Sequence, residues 1–211
     1  MSIVQLSQPG VRNAVVSCWS CKGPVAAQVS TCATCGAVQP PGTADAFARL
    51  GIDRAFAIEQ ADLDRQYFGF QRRLHPDRFA NRSARERALA QQQAAAINDA
   101  YETLKDPLRR AVLLLRLAGR AAAADGAADP ELLIEAMERR EALAEAASPG
   151  AVAELTEAAD ADVAACRDSL GEAFAEGALD RAAALTTRLQ YLVRLAEEAH
   201  AKARRLAKGP F

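Results

Sequence analysis

Apolar positions along the chain recur with helical rather than strand periodicity. Leu63, Tyr67, Phe70 and Leu74 are spaced as one face of an amphipathic helix. That helix has to stop at His75, because the residue before Pro76 is pushed out of the α region. A second helix starts after Ser83, which with Glu86 has the spacing of a capping box; it carries Leu89, Ile97, Tyr101 and Leu104 and stops at Asp106-Pro107. The pattern predicts two antiparallel helices joined by a loop of about eight residues. A short helix at 46–50 precedes them, and another at 108–117 leads to Gly119. Three further helical segments are predicted at 130–147, 151–176 and 178–207, separated by Ser148-Pro149-Gly150 and by Gly177. Leu155, Ala159, Val163, Cys166, Leu170 and Phe174 make one stripe and Leu185, Leu189, Leu192, Ala196 and Ala199 another. A short antiparallel three-helix bundle buries both.

Composition agrees with this pattern. Of 211 residues 50 are alanine and only 11 are aromatic, which favours long helices closing over small side chains and excludes an all-β fold. Residues 1–42 depart from it, with four cysteines, Gly23-Pro24, a Pro40-Pro41-Gly42 exit and too few large apolar residues for a core of their own. The expected fold is therefore mainly α in three parts: a small knuckle segment at 1–42, a helical hairpin with its following short helix at 43–119, and the bundle at 120–211. The alanine-rich stretch 120–129 is the expected mobile connection.

The net charge of -1 conceals an uneven distribution. Residues 1–42 carry two bases and no acid, residues 43–119 carry 13 bases and 10 acids, and residues 120–211 carry 11 bases and 17 acids. Such asymmetry suggests separate partners for separate parts, but the basic block is too mild to make nucleic acid the expected one. The aliphatic run from Ala111 to Leu115 stops at Arg116, far short of a membrane span, so no membrane partner is expected. The N-terminus shows no basic and then apolar leader, and the cysteine spacing suits a reducing compartment; the expected location is the cytoplasm.

Cys18-Trp19-Ser20-Cys21 and Cys32-Ala33-Thr34-Cys35 form two Cys-x-x-Cys knuckles whose four thiolates can surround one tetrahedral Zn(II). Gly36 relieves the tight turn after the second. A redox dithiol, an iron site and two disulfides compete with this reading, but a redox motif needs one pair and a βαβ setting that the pattern lacks. A closed four-sulfur site has no open coordination position, so its expected role is structural. Cys166 lies on an apolar stripe and reads as a buried, inert thiol.

His75-Pro76-Asp77 stands where a helix bearing Arg65, Arg72 and Arg73 gives way to a loop. With no nucleophile nearby, an enzymatic role for His75 and Asp77 is not expected. The basic amphipathic helix, His-Pro-Asp-Arg-Phe and the second helix ending in Asn98-Asp99-Ala100-Tyr101-Glu102-Thr103-Leu104 together resemble a J-domain over residues 43–106. The resemblance implies a co-chaperone that stimulates ATP hydrolysis by a DnaK-like partner, with His75, Pro76 and Asp77 doing the stimulating and Arg65, Arg72 and Arg73 meeting an acidic patch. Gly69, in the middle of the first hairpin helix, departs from this pattern and should cost about 1 kcal/mol relative to alanine.

Pro107-Leu108-Arg109-Arg110-Ala111 and the leucine run after it narrow the resemblance to the HscB family, co-chaperones of iron-sulfur cluster assembly. The stretch from Leu132 to Leu143 is similar to the one with which that family binds the scaffold protein IscU. The resemblance thus implies scaffold binding by Leu132, Leu133, Met137, Glu138, Arg140 and Glu141, with Tyr191 on the last helix. It also implies an HscA/DnaK-type chaperone partner, no enzymatic activity, and a mitochondrial home if the source is a eukaryote. The four-cysteine segment is similar to an extension of some family members. Independently of family, Leu132, Ala136, Leu143 and Ala147 satisfy one core stripe, leaving Leu133 and Met137 as a second apolar pair flanked by charge: a partner patch, or a wider core face. Two other functions stay open, a general J-protein for unfolded clients and a zinc-dependent nucleic-acid-binding protein, although the cysteine segment holds only two bases.

Overall fold

The computed structural model describes residues 15–27, 29–120 and 129–208. Two short strands, β1 (Val15–Ser17) and β2 (Pro24–Ala26), pair antiparallel with Val16 opposite Val25. Helices follow: α1 (Ala46–Leu50), α2 (Gln60–Leu74), a 3-10 turn at Pro76–Phe79, α3 (Ala84–Lys105), α4 (Pro107–Leu117), α5 (Pro130–Glu145), α6 (Pro149–Ala175) and α7 (Leu179–Lys208). The mainly α fold is as expected; the strand pair and the 3-10 turn were not legible in the periodicity.

Local chemistry explains the boundaries. Asp45 caps α1 through Ala48 N–H at 3.1 Å, and Ser83 with Glu86 forms the complete capping box at the start of α3. His75 leaves helical geometry before Pro76 and ends α2. At the far end of α5, Lys202 of α7 donates to the carbonyls of Leu143 and Ala144 at 2.5 and 2.8 Å, satisfying oxygens that have no intrahelical partner.

The chain forms two compact units that part between Arg110 and Ala111, within α4. The division falls short of the connection expected at 120–129, of which residues 121–128 lie outside the described residues. In the first unit α1 and α2 pack on α3, burying Phe47 and Leu50, Leu63 and Leu74, and Leu89, Ala90, Ile97, Ala100 and Leu104. The knuckle segment belongs to this unit.

In the second unit α6 and α7 pack along their length and α5 packs on α7. Leu143, Ala159, Leu195, Ala196 and Ala199 form a common core with Leu155 and Val163 against it. Alanine at these positions lets the helices approach closely. Two core positions are threonines: Thr156 and Thr186 each donate the hydroxyl to the carbonyl four residues back, at 2.7 Å, so neither leaves a buried polar group unmet. Ala147 departs from the expected core stripe, because α5 ends at Glu145 and leaves it exposed beyond the helix.

Candidate functional sites

Strands β1 and β2 are the arms of a hairpin whose tip is the first knuckle. Cys18 N–H donates to Gly23 O at 2.9 Å and Lys22 N–H to Cys18 O at 3.0 Å. The second knuckle repeats the arrangement, with Cys32 N–H on Ala37 O and Gly36 N–H on Cys32 O, both 2.9 Å. The residue after each second cysteine is left-handed: Gly36 at φ 72°, where glycine is free of strain, and Lys22 at φ 64°, where a side chain is tolerated at some cost.

This repetition brings all four sulfurs within 4.8 Å of one another, with Cys18 to Cys35 at 3.7 Å and Cys21 to Cys32 at 3.8 Å. Two metal–sulfur bonds of about 2.3 Å at a tetrahedral angle separate sulfurs by about 3.8 Å, so the donor set fits one Zn(II). These separations are far longer than a disulfide bond, and all four cysteines are free. Cys18 and Cys32 are buried, Cys21 and Cys35 exposed.

Burial pushes the Cys18 thiol up, but backbone N–H groups of Cys21 and Ser20 and the neighbouring sulfurs outweigh it and bring it down to about 6. Cys32 is lowered chiefly by the Cys35 N–H. For Cys21 the Gly23 N–H acts downward, yet Cys35, burial and the other two sulfurs prevail and raise it to about 11. A divalent cation bound among the four sulfurs would offset the negative charge that their thiolates bring together.

The second constellation lies at the tip of the α2–α3 hairpin. His75 and Asp77 are held together, Asp77 N–H meeting His75 Nδ1 at 3.3 Å and the carboxylate lying 3.5 Å from the same nitrogen. Both side chains face solvent, and the 3-10 turn that opens at Pro76 fixes their spacing. Of the three expected arginines, Arg65 is ion-paired with Asp62, Arg73 lies over the Phe70 ring at 4.5 Å, and Arg72 is exposed. Below the tip, Tyr67 stacks on Tyr101 at 4.1 Å, Tyr67 and Gln71 both donate to Asn98, and Tyr101 donates to Asp64 at 2.8 Å, which raises the phenol above its ordinary range. The basic helix is thereby fixed to α3.

The third lies on α5. Leu133 and Met137 are 40% and 70% exposed, so they do not widen the core. Leu132 is half-buried and lines a depression with Glu135, Ala136, Arg140 and Tyr191, which is itself half-buried. Glu138 and Glu141 are exposed, and Arg140 pairs with Glu198 of α7 at 3.0 Å. Ile134, 57% exposed, joins the apolar pair and went unremarked in the sequence, because a lone extra aliphatic residue fits either face of a helix. Gln39 and Gln93, each 4% exposed, were also missed; the signal for Gln93 was its place midway between Leu89 and Ile97 on the buried stripe.

Cys166 is buried, its thiol pushed up by burial against a partial offset from Arg188. No helix among the described residues is long and apolar enough to cross a membrane.

Residues 128–200 match the family model of the HSCB C-terminal oligomerisation domain. The iron-sulfur cluster co-chaperone protein HscB of Mus musculus is 33% identical over 187 residues, 86% of this chain and 80% of that protein. A co-chaperone protein HscB homolog of Burkholderia multivorans is 38% identical over 169 residues, 76% of this chain and 94% of that protein. The crystal structure of human co-chaperone protein HscB is similar with a TM-score of 0.81 at 33% identity, covering 89% of this chain and 98% of that one.

Proposed function

This chain belongs to the HscB family of iron-sulfur cluster co-chaperones, and from that premise we propose that it carries an IscU-type scaffold protein on its C-terminal helices and presents it to an HscA/DnaK-type chaperone, whose ATPase it stimulates. The family is one of co-chaperones, not of catalytic enzymes.

The observation that carries this reading is the exposure of Leu133, Ile134 and Met137 on α5, a helix whose Leu143 is buried in the bundle. Apolar side chains left in water beside Glu138, Arg140 and Glu141 make a surface with an apolar centre and a charged rim, the anatomy of a protein interface. Leu132 and Tyr191 extend it towards α7. Arg140, held by Glu198, offers its guanidinium in a fixed orientation, which lowers the entropy lost on binding.

The hairpin serves the second partner. Its rigid tip offers an imidazole and a carboxylate at set spacing, while Arg65, Arg72 and Arg73 supply positive charge that steers encounter with an acidic surface. Cys18, Cys21, Cys32 and Cys35 would hold a structural Zn(II), which when bound would cross-link a segment that has little apolar core.

The test is the steady-state ATPase of a DnaK-type chaperone with this protein and a folded IscU-type scaffold, set against an unfolded client. Stimulation that rises further with the folded scaffold is expected; stimulation only with the unfolded client would replace this reading by a general J-protein.

A further inference from the structure

We propose that Gln39 couples the metal centre to α3, so that metal loading tightens the J-domain hairpin and the hairpin in turn tightens the hold on the metal. The inference rests on the reading of the four cysteines as a metal site. The Gln39 amide donates to Cys18 Sγ at 3.3 Å and to Ala37 O at 2.8 Å, and its backbone carbonyl accepts from the Gln93 amide of α3 at 2.9 Å. One residue thus touches a metal-ligating sulfur with its side chain and the hairpin with its backbone.

Gln93 occupies a core position on α3, where a buried amide is costly unless its hydrogen bonds are met. Its donor is met by the exit of the second knuckle rather than by the hairpin itself. Immediately before it, the Val38 carbonyl accepts from the Trp19 indole at 2.7 Å, and the Arg85 guanidinium of α3 lies over the Trp19 ring at 4.4 Å. Residues 38 and 39 are therefore held between the first knuckle on one side and α3 on the other.

A metal ion bound by the four sulfurs would fix both knuckles, and with them the Cys18 sulfur that accepts from the Gln39 amide. Gln39 is then fixed with them, and so is the partner of Gln93. Coupling of this kind is reciprocal: the factor by which metal protects α3 equals the factor by which the α3 contact strengthens metal binding. Gln39 and Gln93 are positioning residues in this scheme, not ligands.

The experiment is amide hydrogen exchange of the full chain with and without zinc, alongside zinc affinity by competition with a chromophoric chelator. Zinc should bind one per chain and slow exchange at residues 89–97 by about tenfold. Gln93→Met, similar in length and a good helix former, should keep the zinc stoichiometry, weaken affinity by about tenfold and abolish the zinc-dependent protection. If that variant does not fold, Gln39→Ala, which leaves α3 unchanged, should weaken zinc affinity by a similar factor. A purely structural role for Gln93 would lower protection equally with and without zinc and leave affinity unmoved, which overturns the coupling. Zinc binding with no change of exchange at 89–97 overturns the coupling alone; no zinc binding at all overturns the metal reading as well.

Discussion

Met137 stands one helical turn beyond Leu133 on α5, and both side chains lie in solvent although Leu143 of the same helix is buried. Polar replacement of the pair, Leu133→Ser with Met137→Gln, therefore changes no buried side chain. The thermal midpoint should move by no more than about 2 °C. Affinity for a folded scaffold should fall at least tenfold, about 1.4 kcal/mol. A binding titration and a melt on the same sample check this; unchanged affinity would take this face of α5 out of the interface.

His75→Gln should bring chaperone ATPase stimulation down to the basal rate while leaving scaffold affinity and stability as they are. His75 and Asp77 are exposed and hold no part of the core, so a loss of stimulation with an unchanged melt separates the role of the tip from a folding defect. Normal stimulation by the variant would sink the assignment of the hairpin tip.

Gly69 lies inside α2, and a Cβ built on it meets nothing within 4 Å. Gly69→Ala should stabilise the protein by about 0.5–1 kcal/mol through lower unfolded-state entropy. The urea midpoint should rise at constant slope. A fall in the midpoint would mean that the position is not open.

Cys32→Ser removes one of the two buried sulfurs of the four-cysteine cluster. Zinc content should drop from one per chain to a small fraction of that, and the strand pair and knuckles should lose protection from hydrogen exchange. The helices of the second compact unit should keep theirs, since their core shares no residue with the knuckles. Metal analysis after gel filtration, with exchange measured on the same material, decides it.

Cys166 carries a thiol raised by burial, so thiolate is scarce in the folded protein at pH 8. Alkylation there should be at least about 100-fold slower than in denaturant. Because the folded value lies above the unfolded one, the stability this thiol contributes is full below the unfolded value and is lost as pH rises through the folded one. Rapid labelling of native Cys166 would contradict its burial.

Much of the fold was legible because its signals are local. His75 before Pro76, Ser83 with Glu86, and Asp106-Pro107 act within a few residues, and the three hairpin boundaries they mark came out within one residue. Cysteine spacing likewise encodes a donor set directly, and the four sulfurs do converge. The bundle stripes were read less completely. Thr156 and Thr186 are core residues that a hydropathy pattern assigns to the surface, because their hydroxyls are satisfied by carbonyls of their own helices. Periodicity could not decide between a wider core and a free patch at Leu133 and Met137, since the width of a buried face is set by how the neighbouring helices cross it.

The sequence by itself determined what depends on near neighbours and on chemical type: where helices start and stop, which sulfurs can share a metal, and that His75 and Asp77 flank a rigid proline. Only the tertiary structure decided which apolar side chains of α5 stay in water, that Arg140 is held by Glu198, and that Gln39 meets both Cys18 and Gln93. Those relationships join residues as many as 58 positions apart, and burial and hydrogen-bond partners at such range are properties of packing, which no local pattern carries.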